Sequence, residues 1–241
     1  MRPPQRPFGL ESRPSINPQR TTAALIRWAR MCNDYERQIE WEAFKAAVTE
    51  ARLGLTTSAG PEDLTDAADV RVNDLAPIIV SAGNAVDLVT MRWGFTPQRA
   101  GGAPVFNFKS EGRNFVESKR CLIPASAFFE FTGKGSPRTK WRFELAGLPV
   151  LAVAGLWRED KRGKAFTMLT TAPGQDVAPF HNRQIVVLPP RRWGEWLYLH
   201  QQDPTLLAPL PPGSLNVTMA RQGKEQPDKA LVRLARSGTE S

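Results

Sequence analysis

A chain of 241 residues with 41% hydrophobic content is long enough to bury a sizeable core, and two cysteines are too few for a disulfide-built secreted framework. Its net charge of +8 overstates any case for nucleic-acid binding: six arginines against Glu11 fall in the first thirty residues, leaving +3 on the other 211. No run of eighteen apolar residues is present, which excludes a membrane-spanning helix, and Cys32 and Cys121 fit no ligand spacing, so neither a structural metal nor a cofactor is expected.

In chain order, residues 1–30 read as a disordered basic extension absent from the mature protein, because prolines and arginines cannot bury enough surface to order themselves. Next comes Met31-Cys32-Asn33-Asp34-Tyr35. If Met31 starts the working protein and is removed, Cys32 carries a free α-amine beside its thiol. Such an amine has a pKa of about 7.7–8.0, against about 10.4 for lysine, and is partly neutral and nucleophilic at pH 7. The alternative is a buried structural cysteine. Tyr35, Ile39, Phe44 and Val48 predict a helix from Asp34 to about residue 52, ended by Gly54. Residues 56–71 read as a polar loop.

Two strands follow, Leu75–Val80 and Val86–Phe95, about a turn at Ala82-Gly83-Asn84. Trp93 is either a core side chain or a base-stacking one. After a Gly-rich loop over 98–104, the apolar run Val105–Phe108 is broken by Asn107, whose amide must find partners or line a cavity. Lys109 and Arg113 beside it are candidate phosphate contacts. Strands at Cys121–Ile123 and Ala127–Phe131 flank Pro124, and Glu130 sits between two phenylalanines. It either faces solvent or is desolvated, the state that suits a general acid–base. Gly133–Arg138 is a basic hairpin loop, followed by strands at 141–145, 150–157 and 165–171 and a loop leading to His181. Ile185–Leu188 reads as a buried strand, Pro190–Leu199 as a short helix and Leu215–Met219 as a last strand. The fold class expected is α+β: mainly antiparallel sheet curled into a barrel-like core with flanking helices. A single domain over 31–226 with a polar tail over 227–241 is the expected organisation, with Lys229–Arg236 able to form a helical turn or two.

Three stretches stand in a telling order: Val105-Phe106-Asn107-Phe108-Lys109-Ser110-Glu111, Arg120-Cys121-Leu122-Ile123-Pro124, continuing to Glu130-Phe131, and His181-Asn182-Arg183-Gln184. With Met31-Cys32 and Arg92-Trp93-Gly94-Phe95, they resemble the SOS response-associated peptidase (SRAP) family, which crosslinks to abasic sites in single-stranded DNA. The resemblance implies a DNA-damage-response protein that is cytoplasmic, monomeric and free of membrane contact, with abasic single-stranded DNA as its partner. It implies Cys32, Asn107, Glu130 and His181 as catalytic, Lys109, Arg113, Arg183 and Trp93 as DNA contacts, self-cleavage of leader residues, and weak lyase activity. Three departures bear on the DNA surface. Asp34 stands where many members have an arginine, a tryptophan pair is missing from 96–102, and Gln184-Ile185 replaces a frequent Met-Pro. Two other classes remain open: a cysteine peptidase acting on other proteins with His181 as base, and a non-catalytic single-strand binder.

Overall fold

Neighbouring apolar residues such as Ile78 and Ile79, or Leu122 and Ile123, point to opposite faces of a strand, so strands of this kind are stable only where both faces are covered. The computed structural model, which describes residues 33–237 apart from Thr57, Thr65, Gln98 and Ala100, shows how this is met. The central strands are β4 (Leu75–Ala82), β5 (Ala85–Trp93), β7 (Arg120–Ala125), β10 (Leu151–Asp160) and β11 (Gly163–Thr171). Antiparallel pairing runs β5-β4-β7-β10-β11, and a parallel joint, Ala165 to Arg92 and Phe166 to Trp93, closes the five into a ring. One cluster gathers Ile78, Met91, Trp93, Ile123, Val153, Phe166 and Met168; the other gathers Ile79, Leu88, Leu122, Ala152 and Leu169. Inside the ring β10 comes so close to β7 that a Cβ on Gly155 would lie 2.5 Å from Ile123 Cδ1 and 2.7 Å from the Thr167 carbonyl oxygen.

A second sheet packs on the first cluster, in the order β14 (Leu215–Arg221), β9 (Thr139–Leu145), β8 (Ala127–Thr132), β1 (Asp34–Arg37), β3 (Ala67–Arg71), all antiparallel. It contributes Tyr35, Phe128, Trp141 and Phe143 to the same core. The second cluster is covered by α1 (Trp41–Glu50), through Phe44, Ala47 and Val48, and by α2 (Trp193–Leu197), through Trp193 and Trp196. Short strands complete the ring's margins: β2 (Gly54–Leu55), β6 (Asn107–Lys109), which runs parallel to β11, β12 (Gln184–Ile185) and β13 (Val187–Leu188). The barrel-like, mainly antiparallel core is therefore as expected, with parallel joints added.

Four local expectations need correction. Asp34–Arg37 is a strand and not the start of a helix, because β3 and β8 pair with it on both sides. The helix begins only at Trp41, and Arg52 at φ 56° turns the chain out of it before Gly54 is reached. The loop expected over 56–71 contains β3. Ile185–Leu188 is two strands, β12 on β11 and β13 on β10, with Val186 bonding to Leu169 and Ala154 between them. The helical turn or two expected over Lys229–Arg236 is present as α3 (Lys229–Ser237), whose Leu231, Val232 and Ala235 pack into the first cluster.

Candidate functional site

Glu130 is fully buried. Its strand explains why: Phe128 and Glu130 share one face of β8, Phe128 stacks on its cross-strand partner Phe143 at 5.0 Å, and Glu130 lies opposite Trp141. Of its two alternatives, the carboxyl takes the desolvated one. β8 is also the strand hydrogen-bonded to β1, which begins two residues after Cys32 in sequence. Met31, Cys32 and the whole expected extension lie outside the described residues.

Two aromatic bridges bring the other candidates to this region. Phe180 stands edge-on to Trp141 at 5.0 Å and to Phe143 at 5.2 Å, so His181 follows directly on a residue anchored to Glu130's cross-strand partner. On the other side, Trp93 meets Tyr35 of β1 at 5.4 Å and Phe106 at 6.2 Å, and its Nε1–H donates to the Phe106 carbonyl at 3.0 Å. That fixes Phe106, and with it the start of β6, on Trp93, which itself touches β1 through Tyr35. Asn107 is half-buried at the start of β6.

The His181 ring is seated on one peptide unit, with Nδ1 3.1 Å from both the N–H and the carbonyl oxygen of Arg183. The neutral ring accepts from that N–H through an unprotonated Nδ1, and the charged ring donates to that carbonyl, so both protonation states have a partner in place. Burial pushes the imidazole below its ordinary value despite the Arg183 carbonyl, and the Arg138 charge adds to the effect. A neutral imidazole at pH 7 can accept a proton.

The expected DNA contacts fare differently. Trp93 is a core residue and not a base-stacking one: it is fully enclosed and lies parallel to Phe166 at 6.3 Å, as well as meeting Tyr35 and Phe106. Arg183 is half-buried and already engaged, ion-paired to Glu111 and donating to the Thr170 carbonyl at 2.9 Å and hydroxyl at 3.0 Å. Arg183 first, outweighing partial burial, holds the Glu111 carboxyl below its usual range. Lys109 is exposed, and exposed Arg113 places its guanidinium 4.4 Å over the Phe108 ring. Cys121 is buried in the ring, and burial alone pushes its thiol well up, which makes it a packing residue.

Sequence reasoning missed a charged cleft at the start of β1. It has a volume of about 380 Å³ and is lined by Asn33, Asp34, Asp69, Arg71, Lys140 and Arg221 among others. Lys140 reaches from β9 to Asp34 at 2.8 Å and also pairs with Asp69. Burial dominates at Asp34 and raises its carboxyl, whereas at more open Asp69 the Lys140 ammonium outweighs burial and lowers it. Nothing in the local sequence signals this triad, because it depends on the register of three strands. Among the described residues no group of three or more His, Cys, Asp or Glu side chains is placed to hold a metal ion, and no helix is long and apolar enough to cross a membrane.

The profile of the SOS response associated peptidase (SRAP) family matches residues 31–221. The chain belongs to the SRAP family. Among its relatives is the abasic site processing protein YoqW of Bacillus subtilis, 31% identical over 150 residues that cover 55% of this chain and 66% of YoqW. The abasic site processing protein YobE, also of B. subtilis, is 30% identical over 150 residues covering 55% of this chain and 68% of YobE. Two crystal structures share the fold. A protein from Bordetella bronchiseptica superposes with a TM-score of 0.61 at 22% identity over 79% of this chain and all of its own. One from Bacteroides thetaiotaomicron gives 0.61 at 19% identity over 84% of this chain and 99% of its own.

Proposed function

We propose that this SRAP-family protein processes abasic sites in single-stranded DNA by forming a covalent adduct through Cys32, once that residue is N-terminal. The observation that carries the reading is the seat of Glu130: a fully buried carboxylate on the strand paired with β1, in a family whose named relatives are abasic site processing proteins. In the proposed chemistry the α-amine nitrogen attacks the aldehyde carbon of the ring-opened deoxyribose. The carbinolamine then loses water to give an imine. The Cys32 sulfur adds to the imine carbon while the thiol proton passes to nitrogen, closing a thiazolidine ring. Glu130 and His181 move the protons of ring opening and dehydration, and Asn107 orients the amine and sugar hydroxyls without adding charge. Lys109 and Arg113 hold backbone phosphates, and Arg183 does so on release from Glu111. The same centre removes residues preceding Cys32, and strand cleavage follows from the imine.

The test compares three proteins against an abasic oligonucleotide: one with Cys32 at a mass-verified N-terminus, its Cys32→Ser variant, and the intact 241-residue chain. The first gives a heat-stable shifted band. The second gives only a borohydride-trappable imine, since serine keeps the amine and loses the ring-closing thiol. The third gives none, because an amide nitrogen delocalised into its carbonyl does not attack aldehydes. A heat-stable adduct of equal yield from Cys32→Ser would overturn the thiazolidine, and one from the intact 241-residue chain would overturn the N-terminal amine mechanism and favour a thiol peptidase.

A further inference from the structure

A groove of about 490 Å³ lies where β5 and β10 end and β6 begins, and no part of the covalent centre enters it. Its walls carry Phe95, Phe108 and Trp157, and each ring is met by a cation: Arg158 at 4.2 Å from the Phe95 centroid, Arg113 at 4.4 Å from Phe108 and Lys119 at 4.7 Å from Trp157. Lys119, Arg158 and Arg113 are all exposed. Exposed Lys161, Arg162 and Lys164 continue the positive rim around the β10–β11 turn. On the groove wall Glu159 is exposed, and Asp160 next to it is bound by Arg92 at 3.0 Å, the Thr96 N–H at 2.7 Å and the Arg162 N–H at 2.8 Å. Those bonds, against the opposing effect of burial, hold the Asp160 carboxyl far below its usual range and tie the turn, the 94–97 segment and β5 into one rigid rim.

We propose that this groove is a second contact for single-stranded DNA, seating a nucleotide well past the damaged one on the same strand, with its base on the aromatic wall and its phosphate on Lys119 and Arg158. The identity of the occupant rests on the function proposed above; the chemistry of the site is aromatic faces beside fixed cations, the combination that binds single strands without reading sequence. A peptide would gain less, since β10 is paired with both β7 and β11 as far as Trp157 and leaves only the short edge Arg158–Asp160 for an added strand. Successive side chains of β6 face opposite sides, so Phe108 on the groove wall puts Asn107 on the other side, and a strand touching both crosses this segment. The groove therefore contributes only to strands that extend well past the lesion.

The experiment measures binding of the full 241-residue chain to undamaged oligodeoxythymidylates by fluorescence anisotropy at low salt. Strands of about 5 and about 15 nucleotides bracket the span of a single-strand site. Two variants are compared with the parent: Trp157→Ala, and the double surface reversal Lys119→Glu/Arg158→Glu, which leaves the core untouched. Each is expected to lose about tenfold in affinity for the longer strand, and less than about twofold for the shorter. Equal loss at both lengths, or no loss in the charge-reversed variant with an unchanged circular dichroism spectrum, would overturn the assignment. So would displacement of the longer strand by polyglutamate at matched charge, which would make the groove an acidic-peptide site. The readout needs no adduct: a length-dependent loss without crosslinking by any form leaves the groove in place and removes the covalent mechanism. Crosslinking with neutral groove variants does the reverse.

Discussion

Lys140 Nζ stands 2.8 Å from Asp34 Oδ2 and 3.5 Å from the centre of the Phe129 ring, so β9 delivers an ammonium to the second residue after Cys32. Asp34 occupies the place where the family resemblance led us to look for an arginine, and its charge is answered from within the protein. Lys140→Met leaves Asp34 and Asp69 as two carboxylates around an apolar tip. Removing one partner of a buried pair typically costs about 3–5 kcal/mol. Urea unfolding should show a loss of that order, and Asp34→Asn in the same chain should recover part of it. A loss below about 0.5 kcal/mol would place the triad with ordinary surface pairs.

Glu130→Gln keeps the shape of a fully buried side chain and removes its ability to carry a proton between groups. Adduct formation is expected to slow by about 10² to 10⁴, while affinity for undamaged single strands changes little. Parallel losses in the two assays would make Glu130 a structural residue.

For His181 the folded ring titrates below the ordinary value of 6.5, chiefly because of burial. Between the folded value and 6.5 the unfolded chain binds more protons, so stability falls as pH drops through that window and levels off once the folded ring is charged as well. The imidazole signal in an NMR titration, assigned by its absence in His181→Asn, should have its midpoint below 6.5. A midpoint above 6.5 would mean that a carboxylate faces the ring and that it is charged at rest.

Gly155→Ala drives a methyl group into Ile123 and the Thr167 carbonyl inside the ring, and overpacking of this kind costs about 1–3 kcal/mol. Cys121→Ser, beside it, buries a hydroxyl and is expected to lower the unfolding midpoint while leaving the adduct yield per folded molecule unchanged. Loss of the adduct in a folded Cys121→Ser protein would identify that cysteine as the reactive one.

The ring strands were legible because continuous apolar runs alternate with turns such as Gly83, which takes φ +62° between β4 and β5. β1 was not. Its four residues include Asp34, Glu36 and Arg37, and it becomes a strand through partners at 67–71 and 127–128, a pairing no local window contains. β3 was hidden for the same reason, with Val70 its one buried side chain. At the site, the phenylalanines beside Glu130 raised the question of desolvation, but the register with Trp141 decided it. Trp93 was ambiguous because a tryptophan next to a glycine suits a binding loop and a core equally well. The answer lay in Tyr35 and Phe166, both more than fifty residues away in sequence.

The parallel joint between Trp93 and Phe166 also bears on how the chain folds. β4–β5 and β10–β11 are each local hairpins that can form early, but closing the ring requires a pairing across more than seventy residues, whose loop entropy is repaid only when the pairing is complete. Closure is therefore the late, slow event. A nascent chain halted before it presents the unsatisfied edges of β5 and β11 with Trp93 and Phe166 at their margin. That intermediate is the species most prone to associate with another copy of itself, and the conditions under which the protein is refolded should be chosen to keep it dilute.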